Sequence, residues 1–184
     1  MKPFRGFTLI ELMVTLVVAA IVLTVAVPNF RELIERNRAS SHTNLMVGAL
    51  QLARSEAIKR GSNLVILCKS SNGTSCSSSA AWKDGWLLFA DKNADKTYSA
   101  GTDELIRRYD AMPKLDITTG NSFRCWVGFG PNGYPEGSGT SCAGGAVGND
   151  TFSICAASTS ATQRGRSIII NKIGRIRTED KTCT

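Results

Sequence analysis

Six basic side chains crowd the far end of the chain. Arg164, Arg166, Lys172, Arg175, Arg177 and Lys181 fall within eighteen residues. A guanidinium group can grip a phosphate through paired hydrogen bonds. In the tetrapeptide Gly174-Arg175-Ile176-Arg177, a strand over 173–178 would put Arg175 and Arg177 on one face and turn Ile176 to the core. Ser167-Ile168-Ile169-Ile170, followed by a turn at Asn171-Lys172, makes a hairpin with Lys172 at its tip. Arg164 and Arg166 widen the basic stripe. Such a surface holds duplex backbone without sequence preference. The plainer alternative is a structural strand that the arginines merely flank.

Other candidate chemistry is thinner. Asp91-x-Asn93-x-Asp95 has the spacing that opens a calcium loop. Lys96 stands where that loop needs glycine, and Thr102 where it needs a bidentate glutamate. The spacing therefore predicts a turn whose Asx side chains bond their own backbone. His42 is the chain's one histidine and no CxxC pair exists, so no metal site is expected. No nucleophile–base constellation and no phosphate-loop glycine pattern are present, and the serines of 75–79 read as loop. Neither an enzyme nor a cofactor is expected.

Cysteines stand at 68, 76, 125, 142, 155 and 183. An even number in an exported domain points to disulfides. Proximity suggests Cys68 with Cys76 and Cys125 with Cys142, each closing a Gly/Ser-rich loop, and Cys155 with Cys183 tying the last strands. Fifteen connectivities are possible in principle.

Glu11 is the strangest residue. It is the only formal charge in an apolar run from Phe7 to Val27. A helix of about 21 residues spans about 30 Å, the thickness of a bilayer core. A carboxylate in that setting needs a partner. The basic leader holds Lys2 and Arg5, which predicts that the start of the chain stays cytoplasmic and the bulk faces away. Gly6, the residue resembling a cleavage point, precedes the apolar run, so cutting there would leave the run on the mature protein.

The motif Gly6-Phe7-Thr8-Leu9-Ile10-Glu11, with the apolar helix and Pro28 after it, resembles the type IV pilin superfamily. The resemblance implies cleavage by prepilin peptidase between Gly6 and Phe7, N-methylation of Phe7, and a pairing of Glu11 with the terminal amine of a neighbouring subunit. A paired buried charge is tolerable and would set subunit register.

The elements that carry these residues follow from period and punctuation. Residues 1–6 read as leader, 7–27 as a transmembrane helix and 28–61 as its amphipathic continuation. Met46, Ala49, Leu50, Ala53 and Ala57 recur at helical spacing. Lys59 and Arg60 precede Gly61, a C-cap. Residues 62–184 read as a β-rich head. Strands are expected at Asn63–Cys68, Trp86–Phe89, Glu104–Tyr109, Lys114–Thr118, Arg124–Phe129, Thr151–Ala156, Ser167–Asn171 and Ile173–Thr178. The fold class is α+β, a long N-terminal helix packed on antiparallel sheet. Net charge is +7, and +5 without Lys2 and Arg5, from 20 basic against 15 acidic residues. A basic exported domain attracts polyanions such as DNA or anionic lipid.

Trp82-Lys83-Asp84-Gly85-Trp86-Leu87-Leu88-Phe89, with Asp91, Asn93 and Asp95 beyond, is similar to a block of the FimT and FimU minor pilins and the GspH pseudopilins. Gly174-Arg175-Ile176-Arg177 resembles the C-terminal motif of DNA-binding FimT proteins. These resemblances imply a minor pilin in the inner membrane, then at or near the tip of an extracellular pilus beside other pilins. They imply double-stranded DNA as a partner in natural transformation, with Arg175 and Arg177 on phosphates and Gly174 shaping the backbone. The rivals are a pseudopilin of type II secretion and a minor pilin that primes assembly and twitching motility without binding DNA.

Overall fold

One helix carries the first third of the chain. In the computed structural model, which describes residues 6–146, 149–157 and 164–183, α1 spans Leu9–Arg60. Thr8 starts it: its Oγ1 accepts the Glu11 N–H at 3.3 Å and its carbonyl accepts the Leu12 N–H at 3.2 Å. Gly61 ends it with φ +67° and donates its N–H to the Ala57 carbonyl at 3.1 Å. The chain divides into two units, 1–37 and 38–184. In the first, the apolar side chains of Leu9, Ile10, Leu12, Leu16 and Ile21 are exposed. Among the described residues no helix is long and apolar enough to cross a membrane. Lys2 and Arg5 of the leader lie outside the described residues.

In the second unit the helix buries Ala39, Met46, Ala49, Leu50, Ala53 and Ala57. Ala49, Ala53 and Ala57, four residues apart on one face, let the backbone approach the sheets closely. Arg60 fastens the helix end: it donates to both carboxylate oxygens of Glu104, at 2.9 and 2.7 Å, and to Glu56 at 3.1 Å.

The strands are β1 (Val65–Lys69), β2 (Trp86–Ala90), β3 (Glu104–Tyr109), β4 (Leu115–Thr119), β5 (Trp126–Phe129), β6 (Pro135–Gly137), β7 (Gly145–Ala146), β8 (Asp150–Ala156), β9 (Arg164–Ile170) and β10 (Ile176–Thr182). They form two antiparallel sheets rather than one, with strand orders β3-β2-β1-β5-β6-β7 and β10-β9-β8-β4. The main core lies among α1, the inner face of the first sheet (Val65, Leu67, Trp86, Leu88, Val127) and the inner face of the second (Leu115, Ile117, Phe152, Ile154, Ile168, Ile170). Trp82, in a 3-10 turn over Trp82–Asp84, joins the sheets. Its ring meets Phe152 edge-on at 5.1 Å and its Nε1 donates to the Phe123 carbonyl at 3.0 Å.

The first sheet is buried on both faces along β2, β1 and β5, which explains the unbroken apolar runs VILC and WLLF. Its outer face carries Ile66, Cys68, Leu87, Phe89, Cys125 and Trp126, packed under Cys76, Tyr98 and Cys142. Disulfides Cys68–Cys76 and Cys125–Cys142 hold those covering loops in place. Cys155–Cys183 crosses the second sheet over β9. There Gly165 is required, because an added Cβ would strike the sulfur of Cys183 and the carbonyl of Ile154.

The Asp91-x-Asn93-x-Asp95 segment is a turn. Asp91 Oδ2 accepts the Lys96 N–H at 3.0 Å, Asn93 Oδ1 the Asp95 N–H at 3.3 Å, and Asp95 Oδ1 the Thr97 N–H at 2.8 Å. Asp103 closes it by accepting from Lys92 and Ser99. Among the described residues no group of acidic, histidine or cysteine side chains could hold a metal ion.

Candidate functional site

The basic tetrapeptide sits at the β9–β10 turn. The sequence predicts a strand from Ile173 and a two-residue turn; the structure corrects both. The turn runs over 171–175, so Arg175 belongs to the turn and only Arg177 to β10. Asn171 causes the difference. Its N–H donates to the Arg175 carbonyl at 3.2 Å, its carbonyl accepts the Gly174 N–H at 2.9 Å, and its Oδ1 accepts the Arg175 N–H at 2.8 Å. One side chain thereby closes a five-residue loop.

Gly174 has φ +76° and is buried in this loop. An added Cβ would run into the carbonyl oxygen of Gly133 and come within 3.1 Å of Arg54 Nε. Arg54, from α1, is the clamp. Its Nε donates to the Gly133 carbonyl and its Nη2 to the Ile173 carbonyl, both at 3.1 Å. One guanidinium so ties the helix to the β5–β6 turn and to the basic turn.

The arginines differ in freedom. Arg177 pairs with Glu179 at 3.2 Å, one period along β10 and on the same face. Arg166 pairs across strands with Asp180 at 2.7 Å. Lys181 donates to Ser153 Oγ at 2.7 Å. Arg175 and Lys172 are exposed and, among the described residues, make no side-chain hydrogen bond or ion pair. The Arg164 side chain lies outside the described residues. Ile176 is half-buried and packs against the core as its alternation requires. Among the described side chains of this hairpin, the unpaired positive charge thus lies at the turn and not along the strands.

The other candidate residues lie far off in sequence. Gly6 and Phe7 precede α1 and are exposed, Phe7 at 83%. Glu11 is exposed in the first turn of the helix. Its side chain has no ion pair among the described residues. His42 is half-buried on α1, where burial and then the Arg38 charge hold its pKa below the usual imidazole value.

Comparison with known proteins gives this arrangement a context. A family model described as Type II transport protein GspH matches residues 42–174, most of the chain. The chain belongs to the GspH family.

A second family model, the prokaryotic N-terminal methylation motif, matches residues 1–27. Among solved structures, the type IV minor pilin FimU of Pseudomonas aeruginosa strain PAO1 is similar in two crystal forms. Each has a TM-score of 0.51 at 21% identity, covering 82% of this chain and 92% of FimU in one form and 77% and 90% in the other. The fold is that of a type IV pilin. No curated protein sequence matches the chain. The GspH family is one of pilin-like structural proteins, not of enzymes. The family match stops at Gly174, so Arg175 and Arg177 lie just past it.

In this GspH-family chain, sequence reasoning found the arginines of the turn but missed Arg54. Its partners lie 79 and 119 residues away, and no periodicity signals such a bond. The one usable hint was a charged residue at position 54, directly after the buried Ala53 of the apolar face.

Proposed function

We propose that the chain is a minor pilin of a type IV pilus. The observation that carries this is an N-terminal methylation motif over 1–27 joined to a GspH-type domain on a FimU-like fold. The precursor sits in the inner membrane through the apolar run of 7–27, with its head outside the cytoplasm. Prepilin peptidase cuts between Gly6 and Phe7, an exposed bond ahead of the helix, and Phe7 is N-methylated. The exposed apolar side chains of the first unit then bury against neighbouring pilins. Glu11 pairs with the terminal amine of one of them, because an unpaired carboxylate inside a helix bundle would be costly. The subunit joins other minor pilins at or near the tip.

The basic turn is read as a DNA contact for uptake in natural transformation. Arg175 and Lys172 supply unpaired charge, Arg177, Arg166 and Arg164 extend it, and Gly174 shapes the loop. Mass analysis of the chain from its host should find a terminus at methylated Phe7; a start at Met1, or beyond Val27, would refute the assembly reading. Gel shifts should find salt-sensitive DNA binding; binding that is absent, or indifferent to salt, would refute the DNA reading alone.

Two specific observations favour rivals. The matching family is described as Type II transport protein GspH, which suits a pseudopilin of type II secretion. The Arg177–Glu179 and Arg166–Asp180 pairs suit a structural strand in a minor pilin that primes assembly without DNA. A deletion that blocks transformation and spares secretion supports the pilus assignment; the reverse supports the pseudopilin.

A further inference from the structure

Arg175 stands between two hollows of different chemistry. On the helix side, a cleft of about 370 Å³ is lined by Gln51, Ser55 and Ile58, with Arg54, Arg175 and Ile176 around them. On the other side, a hollow of about 180 Å³ brings Asn149, Asn171 and Arg177 to Arg175. The smaller one offers two guanidinium groups and two amides, a donor set suited to phosphate and sugar oxygens. The larger one offers something a duplex backbone does not use. Ile58, 52% exposed, and Ile176 give it apolar sides. The amide of Gln51 can donate and accept, while the Ser55 hydroxyl, which donates to the Leu52 carbonyl at 3.0 Å, can accept.

That pairing fits a flat heterocycle with a polar edge. A base inside a duplex has its faces stacked and its Watson–Crick edge paired, so only an unpaired base can enter such a cleft. Two features beside the cleft point the same way. Tyr134, 53% exposed, directly follows Gly133, whose carbonyl is held by Arg54 against the same turn. An exposed aromatic residue on a turn tied to one that carries unpaired cations suits a single-strand binding surface. Lys172 and Arg175, without partners among the described residues, supply the complementary charge.

We infer that the cleft between α1 and the β9–β10 turn receives an unpaired nucleobase, with the adjoining phosphates on Arg175 and Arg177. The ligand is then the single-stranded end of a DNA molecule rather than its duplex body. This rests on the DNA-binding reading of the same turn and narrows it.

The test uses the full chain in neutral detergent and fluorescence anisotropy with two DNAs of equal phosphate number, one a blunt duplex and one a duplex with an unpaired tail. The tailed DNA should bind about five-fold or more tightly, the smallest gain one stacked base gives. Ser55→Leu fills the cleft from an exposed position with a good helix former. It should abolish that preference and leave blunt-duplex affinity unchanged. Equal affinity for both DNAs overturns the base cleft and leaves the backbone reading standing. A tail preference that survives Ser55→Leu overturns this cleft as its seat. If neither DNA binds, the DNA reading itself falls, and this inference with it.

Discussion

Replacing Gly174 by alanine tests the geometry of the basic turn directly. Two costs add at this position. The backbone sits at φ +76°, where an L side chain costs about 1 kcal/mol. The new Cβ would also meet the Gly133 carbonyl, so the turn must lift away from it. Lifting breaks the Arg54 bond to the Ile173 carbonyl, and the Cβ wedged between the Gly133 carbonyl and Arg54 Nε displaces the other, at about 1 kcal/mol net each. The sum is about 3 kcal/mol. Gly139→Ala is the internal control: φ there is +63°, but nothing lies within 4 Å of the added Cβ. It should cost only the backbone term, about 1 kcal/mol. A domain of this size loses roughly 2–4 °C of Tm per kcal/mol, so the two variants should melt about 4–8 °C apart. Differential scanning calorimetry with the disulfides intact gives both values. If Gly174→Ala melts with Gly139→Ala, the close approach to Gly133 and the Arg54 clamp are wrong.

Further outcomes follow from other contacts. Arg175→Gln with Arg177→Gln should lower the slope of log affinity against log salt by about 2, read by gel shift; Glu179→Gln, which frees Arg177, should tighten binding. An unchanged slope would remove both arginines from the interface. Asp150 is buried and accepts the N–H groups of Ser122, Phe123 and Thr151 at 2.7, 2.9 and 2.7 Å. Asp150→Ala should therefore cost about 3 kcal/mol, or roughly 6–12 °C of Tm. A shift under a third of that would mean these bonds are replaced by water. Hydrogen bonds from Arg60 hold the Glu104 carboxyl at about 2, below its ordinary 4.5. A depressed carboxyl pKa stabilises the fold above the unfolded value and stops doing so as pH falls through the folded one. The Tm gap between wild type and Glu104→Gln should thus be constant above pH 4.5 and close as pH falls towards 2; because the pair is exposed, it should also shrink with salt.

Much of this fold is local chemistry and was legible. Met46, Ala49, Leu50, Ala53 and Ala57 share one helical face, and Gly61 ends the helix, because period and cap are properties of neighbouring residues. The runs at Val65 and Trp86 betrayed their burial by lacking alternation. The illegible parts are set by distant partners. The strands divide into two sheets, and the contact by which Trp82 reaches Phe152 of the second is one that no short pattern encodes. β6 and β7 are short and lie in or beside a glycine-rich stretch, where propensity says little. The five-residue turn was misread because Asn171 substitutes a side-chain carbonyl for a backbone one. Arg54 was invisible for the same non-local reason, although it decides how Gly174 must be built.

The bridge from Cys155 to Cys183 has a mechanical meaning. Any load attached at the tip of the last hairpin pulls along β9 and β10 together. A free tail would let β10 peel away one hydrogen bond at a time, from its open end. Here that end is riveted to β8 across β9, so the three strands must give way as one. Cargo caught at the turn could be hauled without unravelling the hook that holds it.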